Sequence, residues 1–326
     1  MSKTKKMNKR KLKKITSIIS VIILVIIGYF AAPIINEAEN LYNSIDDIEK
    51  EEKVTFSTSD TIENIDLNNE KLNIVFFYVG QADCTFVKLK DECMIIDAGN
   101  NEDGKNIVNY LKNVGITKID YVVGTHADED HIGGLDDVID GFDIGTIYMP
   151  KVGADATNYK NVVKAVKKKN LQITNPKVGE KFNIGTANLE VLSVMEQKGT
   201  SDNNSSIVIQ MNYDKTKYLF MGDAEKEVEN SRTWENVDVL KVGHHGSATS
   251  STQNFLDQVK PHYAVVEVGK NNSYRLPNKN TIDRLETMGI TVLRTDINTS
   301  SFWITSDGKS IEEREVKINL DGNKSK

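Results

Sequence analysis

Cysteine and proline are scarce in this 326-residue chain, which holds 2 Cys and 5 Pro. Two cysteines cannot build a disulfide scaffold. So few prolines, beside 21 Gly, exclude collagen-like and low-complexity architectures. Aromatics are only 7%, yet 39% of residues are hydrophobic, too many for an intrinsically disordered chain. Positive charge is missing from most of the molecule. Eight of the 41 basic residues fall within the first 14, where no acid occurs; the rest sets 33 basic against 47 acidic residues, a net of −14. So acidic a body does not favour strong nonspecific binding to a polyanion such as DNA. One local exception is residues 159–170, where Lys160, Lys164, Lys167, Lys168 and Lys169 form either a phosphate-tracking patch or an ordinary solvated helix face.

Behind the basic head lies a long apolar run, residues 15–35, with 21 positions and no charge. At about 1.5 Å per residue such a helix spans roughly 30 Å, the thickness of a bilayer's hydrocarbon core. Basic flanks stay on the cytoplasmic side. The sequence therefore predicts a basic cytoplasmic head at 1–14, a transmembrane anchor at 15–36, an extracytoplasmic stalk or linker at 37–71, and a folded domain at 72–326 held outside the cell membrane. Cleavage as a signal peptide is disfavoured because the small pair Ala31-Ala32 sits between Phe30 and Pro33. Within the stalk, Ala38, Leu41, Ile45 and Ile48 recur at helical spacing, whereas residues 55–69 show no period and read as linker.

From Lys71 onward the pattern is that of a packed domain. Short β-rich runs at 73–80, 83–90, 92–99 and 119–125 interleave with helical stretches at 105–114, 131–139 and 159–170. Further strands are expected at 145–149, 189–194, 206–213, 217–221, 237–242, 263–268, 291–295 and 301–305, with helices at 224–234, 252–259 and 279–288. Strand blocks interrupted by single helices predict a mixed α/β layered domain.

The chemistry concentrates at strand ends. Thr125-His126-Ala127-Asp128-Glu129-Asp130-His131-Ile132-Gly133-Gly134 carries four metal-ligand side chains within six residues. On a tight turn, one divalent cation would take His126 and Asp128 and a second would take Asp130 and His131; mixed imidazole and carboxylate ligation suits Zn²⁺, Mn²⁺ or Fe²⁺. The competing reading is a polar loop whose acids cap the next helix. Gly222-Asp223 places another carboxylate directly after a strand, suited to bridging two metals, and Gly243-His244-His245-Gly246-Ser247 adds two imidazoles at the end of another. Four of the five histidines thus lie in two strand-end clusters; the fifth, His262, reads as structural. Cys84 and Cys93 lie on adjacent hairpin strands out of register, which predicts free buried thiols.

The series HxDxDH-x-GG, then Gly-Asp, then HHGS resembles the metallo-β-lactamase superfamily, and in detail the extracytoplasmic hydrolase domain of ComEC competence proteins. Val79-Gly80-Gln81-Ala82-Asp83, Ile96-Asp97-Ala98-Gly99, Asp202-Asn203-Asn204-Ser205 and Val268-Gly269-Lys270-Asn271-Asn272 resemble further motifs of that family in order. The resemblance covers about residues 72–306 and implies an αββα metallo-β-lactamase-like sandwich with a dinuclear site at one sheet edge. It implies metal ligation by His126, Asp128, Asp130, His131, Asp223 and one or both of His244 and His245. Asp97 corresponds to a residue that buttresses the metal loop, and Asn204 to a position elsewhere held by a ligand histidine. Asp83 joins these two as a supporting or substrate-facing residue. Two departures stand out. Tyr274-Arg275-Leu276-Pro277 replaces the family's YGHP, so that Arg275 is a candidate phosphate clamp but not a metal ligand, and with a single expected anchor no multi-span channel is expected.

The expected cofactors are two divalent metal ions, Zn or Mn, activating a water that Asp130 or Asp223 orients. The expected activity is a membrane-anchored phosphodiesterase or nuclease acting on DNA. Alternatives are a cell-envelope esterase similar to phosphorylcholine esterases, or a non-catalytic binding module on the same fold.

Overall fold

The computed structural model describes residues 54–62, 65–197, 199–318 and 320. The chain begins with β1 (Thr55–Ile62), β2 (Leu72–Phe76), β3 (Thr85–Leu89), β4 (Glu92–Ile96), α1 (Gly104–Asn113), β5 (Lys118–Val123), α2 (Glu129–Ile132), α3 (Leu135–Gly141) and β6 (Asp143–Tyr148). It continues through α4 (Thr157–Lys168), β7 (Ile173–Thr174), β8 (Lys181–Ile184), β9 (Ala187–Ser193), β10 (Val208–Tyr213), β11 (Thr216–Phe220), α5 (Lys226–Glu229) and β12 (Val239–Lys241). The last elements are α6 (Gln253–Val259), β13 (Tyr263–Val266), α7 (Lys279–Thr287), β14 (Thr291–Arg294), α8 (Thr295–Asn298), β15 (Ser301–Ser306) and β16 (Ser310–Val316).

Two sheets result, in the orders β1-β16-β15-β2-β3-β4-β5-β6-β7 and β14-β13-β12-β11-β10-β9-β8. Because side chains alternate along a strand, each sheet feeds two cores. Ile74, Phe76, Val87 and Met94 of the first sheet meet Val191, Ile209, Phe220 and Val265 of the second. Val75, Phe86 and Ile95 turn the other way, onto Ile107, Leu111, Val138 and Val162 of α1, α3 and α4. Leu219, Leu240 and Ala264 likewise pack on Phe255, Leu256 and Leu285 of α6 and α7. The layers therefore run helices, sheet, sheet, helices. Burial on both faces explains why β2 is apolar at every position but Asn73.

Several elements differ from expectation. Residues 55–62, read as linker, form edge strand β1, parallel to β16. The strand has little apolar pattern and is held by its backbone pairing and by Phe56, whose ring stacks on His262 at 3.8 Å. The helix expected at 224–234 shortens to α5, because Glu229 is buried and its carboxylate receives the N–H groups of Ser251 and Thr252. Cys84 and Cys93 are free and buried, with Cys93 opposite Lys88 rather than Cys84.

The expectation of a single-pass membrane protein is corrected. Among the described residues no helix is long and apolar enough to cross a membrane. The proposed head at 1–14 and anchor at 15–36 lie outside the described residues, as does most of the stalk at 37–71.

One buried acid gives the fold a pH dependence. Glu313 on β16 is 2% exposed. Burial pushes its carboxyl up to about 7, with Glu315 adding to the rise and a hydrogen bond with Thr58 opposing it. A raised pKa means that the folded state holds the proton more tightly. The associated stability is fully present below about pH 4.5, the unfolded value, and is lost as pH rises through about 7. Glu313→Gln should therefore melt with the wild type at acid pH and a few degrees above it at pH 8, as read by thermal unfolding across pH.

Candidate metal centre

Strands β4, β5 and β6 are parallel, as are β11, β12, β13 and β14. Their C-terminal ends deliver the loops that carry Asp97, His126–His131, Asp223, His244, His245 and Glu267, which main-chain hydrogen bonds tie together. Asp83 N donates to Asp130 O (3.0 Å), Ala98 N to His131 O (2.8 Å), Gly99 N to Asp83 O (2.9 Å) and His244 N to Gly222 O (3.1 Å). The Gly133-Gly134 pair is what lets two of these loops touch. A Cβ on Gly134 would stand 2.3 Å from Ala98 O and 2.7 Å from Gly104 Cα. Gly134→Ala should thus destabilise the protein by about 1–3 kcal/mol, the usual overpacking range, in chemical denaturation.

At the centre lies Asp223. Its carboxylate has the Nε2 atoms of all four clustered histidines within 4.0 Å: His131 at 3.2 Å, His245 at 3.7 Å, His244 at 3.8 Å and His126 at 4.0 Å. Donor atoms of His126, His131 and Asp223 lie within 4.8 Å of one another, and so do those of Asp130, His131 and His245. Asp130 Oδ2 is 3.2 Å from His245 Nε2, and Asp128 Oδ2 is 3.5 Å from His126 Nε2. Asp128 occupies the N-cap position of α2 yet makes no capping hydrogen bond, contrary to the capping reading of this loop.

The imidazoles are braced from behind. Asp97, strained into the left-handed region at φ 60°, accepts from Thr125 N (2.8 Å) and Thr125 Oγ1 (2.7 Å) and lies 2.8 Å from His131 Nδ1. His245 Nδ1 is 2.9 Å from the Glu267 carbonyl and 3.2 Å from Asp83 Oδ1. His126 Nδ1 is 3.1 Å from Thr125 Oγ1 and 3.4 Å from Ser206 Oγ. With the Nδ1 atoms of His131 and His245 engaged in this way, their Nε2 atoms face Asp223 and are the ones a cation would take.

Charge and burial agree with a cation site. Burial opposes charge on His131 and His245, but Asp223 and the neighbouring aspartates outweigh it and raise both well above the usual histidine range. Burial would also raise Asp223, yet His131 and His245 hold it well below the ordinary carboxylate value. His126 Nε2, His131 Nε2, His245 Nε2 and Asp223 Oδ1 are buried without a hydrogen-bond partner. Such atoms are expensive to leave unsatisfied, and nitrogen with carboxylate oxygen is the donor chemistry of divalent transition metals. These residues fit a metal centre.

Other expected residues lie around it. His244 is at the rim, 25% exposed, with Nδ1 3.3 Å from Glu225 Oε1. Asn204 is engaged by the neighbouring acids: its Oδ1 accepts from Glu225 N (3.0 Å) and its amide donates to Glu227 Oε2 (3.2 Å), in a cleft of about 490 Å³. Arg275 is exposed on a loop that packs against the His244-His245 turn through Asn278 N and Gly246 O (2.9 Å), and it is not among the clustered donors. Lys160, Lys168 and Lys169 are engaged by Asp155 O, by Asp140 and by Ile139 O. Sequence reasoning passed over Lys241 and Glu267, 3% and 0% exposed behind the centre. Their signal was a charged residue inside the apolar runs Leu240-Lys241-Val242 and Val266-Glu267-Val268.

The family described as the metallo-beta-lactamase superfamily matches residues 77–269, a span that contains every donor above. The chain belongs to the metallo-β-lactamase superfamily. It is similar to ComE operon protein 3 of Bacillus subtilis (strain 168), 34% identical over 198 residues, or 60% of this chain and 26% of that protein. It is also similar to Recombination protein 2 of Haemophilus influenzae, 28% identical over 214 residues, 64% of this chain and 25% of the relative. Competence protein ComA of Neisseria gonorrhoeae is 28% identical over 227 residues, 67% of this chain and 30% of that protein. The chain spans roughly a quarter to a third of the length of these competence-related proteins. Membership of the metallo-β-lactamase superfamily identifies it as a metal-dependent hydrolase related to them.

Proposed function

We propose that the chain is a dinuclear phosphodiesterase whose substrate is DNA. The observation that carries this reading is Asp223, whose one buried carboxylate faces four imidazoles. His126, Asp128, Asp130, His131, Asp223 and His245 would hold two divalent cations, Zn²⁺ or Mn²⁺, with His244 beside them. When bound, such ions supply Lewis acidity and a water acidic enough to attack near neutral pH. The protein's part is to fix that water and the scissile group. Asp130, its side chain 30% exposed, accepts a hydrogen bond from the nucleophile at the mouth, while the buried Asp223 holds the donors in place. No serine or cysteine nucleophile is required. Relatives named for competence and recombination support a nucleic-acid substrate.

A second reading has its own observation. Glu225 and Glu227 line the cleft next to His244, which suits a cationic group beside the scissile phosphate better than a polyanion, as in a phosphorylcholine ester. The purified protein with Mn²⁺ or Zn²⁺ should cleave bis(p-nitrophenyl) phosphate and plasmid DNA, and lose both activities in chelator. Cleavage of p-nitrophenyl phosphorylcholine alone selects the second reading; inertness toward all three substrates contradicts both.

A further inference from the structure

A buried lysine lies directly behind the centre. Lys241, the last residue of β12, is 3% exposed, with Nζ 2.7 Å from Asp83 Oδ2 and 4.0 Å from Glu267 Oε2, and it donates to Val242 O (3.0 Å). Glu267 is committed elsewhere, its carboxylate accepting from Cys84 N (3.1 Å) and Thr85 Oγ1 (3.0 Å). The ammonium's close ionic partner is therefore Asp83.

Asp83 has the chemistry of a ligand. Its buried Oδ1 has His245 Nδ1 3.2 Å away but no hydrogen bond of good geometry, and donor atoms of Asp83, Asp223 and His245 lie within 4.8 Å of one another. A hydrolytic metal site must keep a position for water and substrate, whereas structural sites are closed by protein ligands. One more carboxylate in the shell would move this centre toward the closed type.

We propose that Lys241 is a positioning residue that withholds Asp83 from the metals: its buried ammonium pins the carboxylate behind His245 and so keeps a coordination position open. This rests on the metal-centre reading above. It explains why a full positive charge is buried beside a site built to attract cations. Charge neutralisation alone would be served by one fewer aspartate.

The test uses the whole chain loaded with Co²⁺, whose visible absorption weakens as coordination number rises. A lysine that merely supports the fold would, on replacement, weaken metal binding by roughly 10–100-fold, as loss of an outer-shell partner does. Pinning predicts the opposite sign for Lys241→Met: binding tighter by about tenfold through an added charged ligand, and a weaker Co²⁺ spectrum. Lys241→Gln, which keeps a polar donor without the charge, should shift the same way and covers the case in which Met is not tolerated. Adding Asp83→Asn to either variant should restore the wild-type spectrum, since both members of the buried pair are then neutral. An unchanged spectrum in Lys241→Met and Lys241→Gln, or a change that Asp83→Asn does not reverse, overturns the inference. Absence of Co²⁺ binding by the wild type would overturn the metal-centre reading, and this inference with it.

Discussion

Asp223→Asn is expected to lower phosphodiester hydrolysis by at least roughly 10²-fold, the lower scale for losing a catalytic acid–base group or an electrostatic stabiliser. The substitution keeps volume and leaves the backbone contact from Asp223 N to Ser206 Oγ (3.0 Å) intact, so the protein should remain folded. What disappears is a charge. The Asp223 carboxylate faces the Nε2 atoms of His126, His131, His244 and His245, all within 4.0 Å. An amide cannot bridge two cations, and its NH₂ group would point a hydrogen at nitrogens that need their lone pairs free. Metal content should fall together with kcat, measured on the same preparation. A variant with full activity would remove Asp223 from the mechanism while leaving the fold assignment standing.

Asp97→Asn should act at one remove. Asp97 touches His131 Nδ1 at 2.8 Å and receives two hydrogen bonds from Thr125. As a carboxylate it can only accept, which forces the proton of His131 onto Nδ1 and leaves Nε2 to face Asp223. An asparagine can turn its amide toward the ring, and the imidazole then carries its proton on Nε2, where it blocks ligation. The expected result is a 10–100-fold loss of metal affinity, on the order seen for outer-shell partners, in a competition titration against a chromophoric chelator. Activity should recover at high metal concentration, which Asp223→Asn should not allow. An affinity equal to the wild type would show that Asp97 braces the loop without setting the tautomer.

Much of this centre was legible before the structure because its donors are compressed in sequence. Four ligand side chains, two His and two Asp, within six residues after an apolar strand leave little room for another reading, and Gly133-Gly134 follows because the loop must reach the main chain of Ala98 and Gly104. The strands were legible through their short, mainly apolar β-rich runs. Pairing between distant segments was not. Strand β1 carries few apolar side chains, and its partner β16 is about 250 residues away. Lys241 and Glu267 escaped notice because a charged residue in a strand ordinarily marks the solvent face; here the two are buried 4.0 Å apart, with Asp83 2.7 Å from the lysine. The His244-His245 doublet also concealed a division of labour. Only the structure shows His245 buried with Nδ1 on the Glu267 carbonyl while His244, beside Glu225, is partly exposed at the rim.

The central claim is that these donors form a two-metal hydrolytic centre, and elemental analysis of the purified protein after Zn²⁺ or Mn²⁺ loading and removal of excess metal tests it most directly. The account predicts a content close to two ions per chain, falling in Asp223→Asn. A content near zero in the metal-replete wild type would contradict it.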